Sequence, residues 1–186
     1  MTSAFVVERV APDAAFFADF ETSISVMAHE KVLKIAEETK VSTDGELAAL
    51  LFLSPRDNNL DGDGVEKIVS PQLLSLFQQY AGNRIRSAAV NIGLKVPGMD
   101  AREYFGGKGM PVFSLVYKIN LSGGRDAVPL IRAMEATLQD NIPQMIDWNN
   151  SFTVFGYEAV VLDQEKGISV SSYRNHCDSM CSEPDC

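Results

Sequence analysis

The chain has 186 residues, of which 46% are hydrophobic, and its 16 basic and 25 acidic side chains give a formal net charge of −9. This length and apolar content suffice for one folded domain and exclude a wholly disordered chain. The negative charge opposes binding to nucleic acid or anionic lipid, unless basic residues are concentrated in one segment.

The N-terminus does not have the pattern of a secretory signal, because no basic residue precedes a long apolar stretch. The longest nearly uncharged apolar run, residues 47–53, is far shorter than the roughly 20 residues that cross a bilayer. All three cysteines lie in the last ten residues, so no disulfide can link parts of the main domain. We therefore predict a protein without membrane spans, located in the cytoplasm or within an assembled particle.

One short strand and two helices are predicted in the first part of the chain. Residues 4–10 are rich in β-branched side chains, which predicts a strand. A short helix is predicted to begin at Pro12. From Ile24 to Ala36, apolar residues recur at three- and four-residue steps with charged residues on the other faces. This periodicity predicts an amphipathic helix.

Two further helices are predicted next. The motif Thr43-Asp-Gly-Glu46 has the spacing of a capping box, which predicts a helix over about 44–53. Residues 54–65 are dense in Pro, Asp, Asn and Gly, which is typical of a loop. The pair Ser70-Pro71 then predicts the start of another helix, which ends at Gly82.

The last third of the chain predicts a strand, a helix and two more strands. Apolar residues alternate over 113–121, which predicts a strand with one apolar face. A helix follows over about 127–140, with Asp126 as its cap. Residues 152–163 predict a central strand, because their end is apolar on both faces. Residues 167–173 predict a strand that pairs with it.

Together these elements predict an α+β fold in which an N-terminal helical part packs on a small mixed sheet. The sheet is supplied mainly by the strand, helix, strand, strand unit at the C-terminal end. In this interpretation residues 1–173 form a single domain. Residues 174–186 form a polar tail that contains the cysteines.

The tail is nominally able to supply a complete zinc set of one imidazole and three thiols. These groups belong to His176, Cys177, Cys181 and Cys186. An adjacent His and Cys cannot easily face one ion, and the spacers are not those of a zinc knuckle. We therefore predict a reducible polar tail instead of a zinc site.

The sharpest local motif is the acidic turn over residues 57–64, Asp-Asn-Asn-Leu-Asp-Gly-Asp-Gly. It resembles an EF-hand loop, in which oxygen ligands alternate along a turn that glycine permits, and this resemblance implies calcium as a cofactor. The candidate ligands are Asp57, Asn59, Asp61 and Asp63. The twelfth position is Ile68, where the family has a bidentate Glu. An acidic surface turn is the competing interpretation.

Residues 82–109, which we define as the basic segment, hold six of the 13 glycines and carry a net charge of +3 against −12 for the remainder. A phosphate-binding loop is disfavoured, because Lys108 is followed by Gly109 where that motif has Ser or Thr. A mobile arm or hairpin is predicted at residues 106–109 instead. The candidate interaction residues are Arg84, Arg86, Lys95, Arg102, Tyr104, Phe105 and Lys108.

No catalytic motif is found, since the chain has only two histidines and no cysteine in its main domain. A carboxylate-dependent hydrolase stays open as an alternative, because acidic side chains can converge unseen in one sequence. The hypothesis is a non-enzymatic structural protein that self-associates, its basic segment docking on an acidic surface of another copy. A coat or tail component of a virus-like assembly is a protein of this kind.

The alternative function is a binding module. It would bind calcium through residues 57–64, or single-stranded nucleic acid through residues 84–108 by phosphate pairing and stacking. The acidity of the chain disfavours nucleic acid as a partner.

Overall fold

The fold is described from a computed structural model, which defines residues 21–35 and 47–157. The described strands form one five-stranded sheet in the order β1-β3-β4-β2-β5. They are β1 (Ala28–Ile35), β2 (Leu47–Leu53), β3 (Ile85–Gly93), β4 (Leu115–Leu121) and β5 (Phe152–Tyr157). The described α-helices are α1 (Gly62–Leu76), α2 (Ala101–Phe105) and α3 (Val128–Asn141). A π-helical turn (Phe77–Ala81) and 3-10 turns (Gly82–Arg84 and Gly124–Ala127) complete the described helical elements.

Each neighbouring pair of strands in the sheet is antiparallel. Helix α1 connects β2 to β3, and β4 lies between those two strands. Helix α3 connects β4 to β5, and β2 lies between them. This interleaved connectivity from β2 to β5 is the split βαβ, or ferredoxin-like, motif. Strand β1 extends the sheet by pairing with the outer edge of β3.

The hydrophobic core lies between one face of the sheet and the helices α1 and α3. On β2 every second residue, from Leu47 to Leu53, is buried, as expected for a strand with one face on the core. Strand β4, which has a strand on either side, is buried at six of its seven positions, including Val116 and Asn120 on the face away from the helices. The helices contribute Val65, Val69, Leu73, Ile131, Met134 and Leu138 to the same cluster.

The N-cap of helix α1 is Asp61, whose carboxylate accepts a hydrogen bond from the Gly64 amide at 2.6 Å. The helix therefore begins at Gly62. Its predicted start at Ser70-Pro71 is therefore wrong by two turns, and Pro71 lies inside the helix. The loop that was predicted over residues 54–65 therefore ends at Asp61, before α1 begins. The helix ends in the π-helical turn before Gly82, which has a positive φ of 52° and confirms the predicted end.

The two predicted helices over 24–36 and 44–53 are wrong, because the described parts of both segments are strands. Strand β1 is an edge strand with no buried residue from Ala28 to Lys34, so the alternation that marks a half-buried strand is missing. Strand β2 is apolar on both faces, and a short apolar run does not distinguish a strand from a buried helix. The predicted N-terminal helical part is therefore incorrect in these segments.

The predicted mixed sheet is also wrong, since every described pairing is antiparallel. The α+β class is confirmed, as are a strand within 113–121 and a helix close to 127–140. Asp126 does not cap that helix, whose N-cap is Ala127 without a side-chain hydrogen bond. Strand β5 has β2 as its one partner among the described strands, which does not support a central position.

Several predictions fall on residues outside the described ranges. They are the strand over 4–10, the helix at Pro12, the capping box over 43–46, the strand residues 158–163 and 167–173, and the tail 174–186. The division into a domain and a tail is among them. Within residues 21–35 and 47–157, no helix combines the length and the apolar content needed to cross a membrane.

Candidate functional site

The acidic turn brings its four candidate calcium ligands into one short segment, but the carboxylates of Asp57, Asp61 and Asp63 already have neighbours within the chain. Asp57 accepts a hydrogen bond from the Asn59 amide at 2.8 Å, which closes a local turn. Asp61 caps α1. The Nζ of Lys95 donates to the Asn58 carbonyl, so an ammonium group already lies against this turn.

Asp63 lies on the first turn of α1, 3.8 Å from Nε2 of His29 on β1. In the described part of the chain, no group of three or more His, Cys, Asp or Glu side chains is arranged to hold a metal ion. The geometry of residues 57–64 therefore favours the acidic surface turn over the calcium loop.

The basic segment is not one positive surface. Arg84 immediately precedes β3 and Arg86 is its second residue, whereas the other candidate basic residues follow its end. The eight steps of β3 span roughly 26 Å. The segment contains β3, which pairs with two strands. The mobile arm or hairpin predicted at residues 106–109 lies beyond β3 and stays a prediction. Tyr104 and Phe105 lie in α2.

Two of the basic side chains beyond β3 are paired with carboxylates of the same chain. Arg102 donates to both oxygens of Asp100, at 3.1 and 2.8 Å. These hydrogen bonds lower the pKa of Asp100 and raise that of Arg102. Lys108 lies 3.5 Å from Glu103, and both side chains are well exposed. These charges are therefore less available to another molecule than the sequence suggests.

The face of the sheet that points away from α1 and α3, which we call the open face, carries a row of residues across all five strands. In register, the row runs Val32, Ala89, Lys118, Leu50, Val154. Its two ends are the most exposed, since Val32 is 56% and Val154 is 46% accessible. Lys118 at the centre takes part in a polar interaction of its own. The row is otherwise apolar.

Next to this row is an aromatic cluster of Phe52, Phe113 and Phe152. The rings of Phe52 and Phe152 stack at 5.0 Å, and Phe113 meets each of them edge-on at 5.5 Å. Such contacts add about 1 kcal/mol per pair to the energy of burial. The cluster lies at one end of the open face.

A cleft of about 310 Å³ lies between the end of β3, the segment before β1, and α2. Its walls are mainly apolar, and its charged lining residues are Lys95, Asp100 and Arg102. Sequence reasoning did not find this cleft, because its lining comes from segments that are far apart in the chain. Lys95 and Arg102 were singled out for a different role.

A buried polar network joins β1, α1 and β4. Lys31 donates to Glu66 at 3.0 Å, and the Ser70 and Tyr117 hydroxyls lie 2.9 Å apart. Burial raises the pKa of Glu66, but hydrogen bonds from Ser70 and Lys31 outweigh it, so the pKa is lowered overall. Tyr117 is fully buried, and this burial raises its pKa. A substrate cannot reach that hydroxyl, so the network supports structure.

Comparison of the chain with known protein families, with curated proteins and with solved structures finds no match. The functional argument therefore depends on the open face, the cleft and the charges described above.

Proposed function

We propose that this protein is a non-enzymatic, self-associating protein in which two copies pack through the open faces of their sheets. The observation that carries the proposal is the row across that face, which is apolar except for Lys118 at its centre and has Val32 and Val154 exposed at its ends. Exposed β-branched residues that share one sheet face are typical of a contact surface. A second copy is the occupant we argue for.

The dimensions of the open face support a modest dimer. Five strands span roughly 24 Å, and seven residues along a strand span roughly 23 Å, which gives roughly 550 Å² for each copy. Two such faces bury about 1,100 Å², close to the lower limit for a specific interface. We therefore expect a weak dimer, with a dissociation constant of about 10 µM or above.

The structure favours the open face over the basic segment as the contact surface. Arg102 and Lys108 have carboxylate partners within the chain, and Arg84 and Arg86 lie at the other end of β3. The same facts weaken the alternative of a nucleic-acid site, and the hydrogen bonds within residues 57–64 weaken that of a calcium module. Self-association through the apolar open face requires neither the basic segment nor the acidic turn.

The two surfaces predict opposite effects of salt. Two copies with a net charge of −9 repel each other, and salt screens that repulsion, so packing of apolar faces strengthens as salt increases. Docking by charge pairs weakens instead. Sedimentation velocity at low and high salt, over a series of protein concentrations, measures the direction. A monomer in both salts at about 1 mM protein contradicts the proposal.

A matched pair of variants locates the surface. Val154→Asp places a charge on the open face and should abolish the dimer, whereas Ile68→Asp should leave it unchanged. Ile68 is the control because it is similarly exposed, at 44%, but lies on α1. If both variants dimerise as the parent does, the contact lies elsewhere.

A further inference from the structure

One end of the sheet, where β3 begins and β4 ends, carries four cations that make no ion pair in the described chain. They are Lys34 near the end of β1, Arg84 and Arg86 at the start of β3, and Arg125 in the turn after β4. Asp126 is the one carboxylate in these described segments. We call this surface the positive end.

The positive end differs from the rest of the described chain, where charges are balanced. The described residues hold 12 basic and 12 acidic side chains, so their net charge is zero. Elsewhere Lys31, Arg102 and Arg132 each lie within 3.0 Å of a carboxylate. Cations that are held together without such partners raise the local potential, which favours an anionic ligand. The positive end is therefore where such a ligand is expected.

Two of the arginines flank a glycine turn that leaves space for a ligand. Gly123 and Gly124 have positive φ angles of 100° and 54°. Nη1 of Arg84 lies 3.7 Å from the point that a Cβ on Gly123 would occupy, and no described atom lies within 4 Å of that point on Gly124. Guanidinium groups bind phosphate oxygens through paired hydrogen bonds. A phosphate group can therefore lie against this turn, between Arg84 and Arg125.

Arg125 also lines a groove of about 560 Å³ between the end of β5 and the start of α3. The walls of the groove are mainly apolar, and Tyr157, which is 54% exposed, supplies an aromatic ring. The other lining ring, that of Phe155, already has the guanidinium of Arg132 at 4.9 Å from its centre. A mainly apolar groove with one charged residue is typical of a site for a small molecule.

We infer that the positive end and this groove together bind a nucleoside diphosphate. Its phosphates pair with Arg84 and Arg125, and its base stacks on Tyr157. A volume of about 560 Å³ is within the range of small-molecule sites. The strand ends that carry Lys34, Arg84 and Arg125 span two strand spacings, or roughly 10 Å, which accommodates few phosphate groups. A nucleic-acid strand needs a groove for about four nucleotides or more, so a small molecule fits better.

This site does not depend on the proposed dimer. Tyr157 and Val154 are three positions apart on β5, so their side chains point to opposite faces of the sheet. A ligand in the groove therefore leaves the open face free, and each proposal can fail without the other.

Adenosine diphosphate is the probe, and pyrophosphate and adenosine are its two halves. Amide chemical shifts in two-dimensional NMR, followed during titration at low salt without divalent cations, give both the affinity and the location. We expect the nucleotide to bind at least about fivefold more tightly than either half. The shift changes should be centred on residues 82–86, 122–128 and 155–157. No change at about 5 mM nucleotide, or changes centred elsewhere, overturns the inference.

Matched variants test the contacts one at a time. Arg84→Gln and Arg125→Gln should each weaken both the nucleotide and pyrophosphate about fivefold, a modest effect because both arginines are exposed. Arg56→Gln is the control, because it removes an exposed arginine after β2 that lies outside the positive end and the groove. Tyr157→Leu should weaken the nucleotide about fivefold and leave pyrophosphate unchanged. Unchanged binding of the nucleotide in both arginine variants contradicts the inference.

A short thymidine oligonucleotide separates the two sources of phosphate. At equal phosphate concentration and low salt it should bind more weakly than adenosine diphosphate, because the net charge of −9 opposes a polyanion and the positive end is short. Tighter binding of the oligonucleotide at the same residues would identify a nucleic-acid surface and overturn the inference.

Discussion

Replacing Glu66 by Gln tests the buried network between β1, α1 and β4. The change keeps the shape of the side chain and a hydrogen bond with Ser70, but it removes the charge that Lys31 pairs with. Glu66 is 4% exposed, so solvent cannot replace the lost interaction there. The expected effect therefore arises mainly from the charge-assisted hydrogen bond of 3.0 Å that Lys31 donates, while the Ser70 bond is kept in a neutral form.

The size of the effect follows from the difference between charged and neutral hydrogen bonds. Hydrogen bonds to charged groups contribute about 1.5–3 kcal/mol and neutral ones about 0.5–1.5 kcal/mol. The Lys31 side chain is 52% exposed, which screens the pair and reduces the gain. We therefore expect Glu66→Gln to lower the free energy of unfolding by about 1 kcal/mol at neutral pH.

The pH dependence gives a second, independent check. The pKa of Glu66 in the folded state is below its ordinary value of 4.5, so the unfolded chain takes up the proton first as the pH falls. The stability that the carboxylate contributes is complete above about pH 4.5 and is lost as the pH falls through the folded pKa. The difference between the parent and Glu66→Gln should therefore shrink below about pH 4.5.

Urea unfolding of both proteins at neutral pH and at several acidic pH values measures this difference. Glu103→Gln is the matched control, because Glu103 pairs with Lys108 at 3.5 Å but is 62% exposed. Its effect should stay below about 0.5 kcal/mol at every pH. The reasoning is refuted if Glu66→Gln is as stable as the parent at neutral pH, or if the difference is the same in acid.

Two packing predictions follow from the same measurement. Gly62→Ala should destabilise by about 2 kcal/mol, since its Cβ would lie 2.7 Å from the Gly93 carbonyl oxygen, whereas Gly156→Ala, with nothing within 4 Å, should cost nothing. Equal stabilities of these two variants would contradict the packing of α1 on β3. Phe113→Ala should cost about 3 kcal/mol, because the ring is 5% exposed and contacts two others, while Val112→Ala, at 36% exposure, should cost under about 1 kcal/mol. A loss below about 1 kcal/mol for Phe113→Ala would show that the aromatic cluster is loosely packed.

The sequence predicted the elements whose pattern matches one local rule. Strand β4 alternates clearly, and α3 begins beside a proline that fits the first helical turn. The helix start at Asp61 was overlooked because residues 54–65 were assigned to a loop and the pair Ser70-Pro71 predicted a later start. A helix cap and a calcium ligand also favour the same residue types at the same place.

The strands β1 and β2 could not be recognised from local pattern. From Ala28 to Lys34 the side chains of β1 are exposed or half-buried, and the strand is held largely by backbone pairing with β3, so its sequence shows no strand periodicity. The seven residues of β2 are all apolar, so length and composition fit either structure. This segment is a strand because it pairs with β4 and β5, whose residues are about 70 and 105 positions away in the chain.

The candidate site depends on such distant contacts even more. The net charge of residues 82–109 follows directly from the sequence, but its distribution in space does not. Arg102 pairs with the carboxylate of Asp100, two residues away, and β3 separates the two ends of the segment. The cleft beyond β3 combines residues from before β1, after β2 and before β4. No short segment of the sequence contains all the residues that line this cleft.

The interleaved strands mean that neither half of the chain can complete a sheet alone. A fragment that ends after β3 lacks the strand that belongs between β2 and β3, which leaves a slot roughly 10 Å wide. A fragment that begins at β4 lacks β2 in the same way. Each fragment contains the strand that the sheet of the other fragment lacks, so a complete sheet forms only when both fragments are present. Folding of the intact chain must wait for these remote partners to meet, which makes it slow for its size.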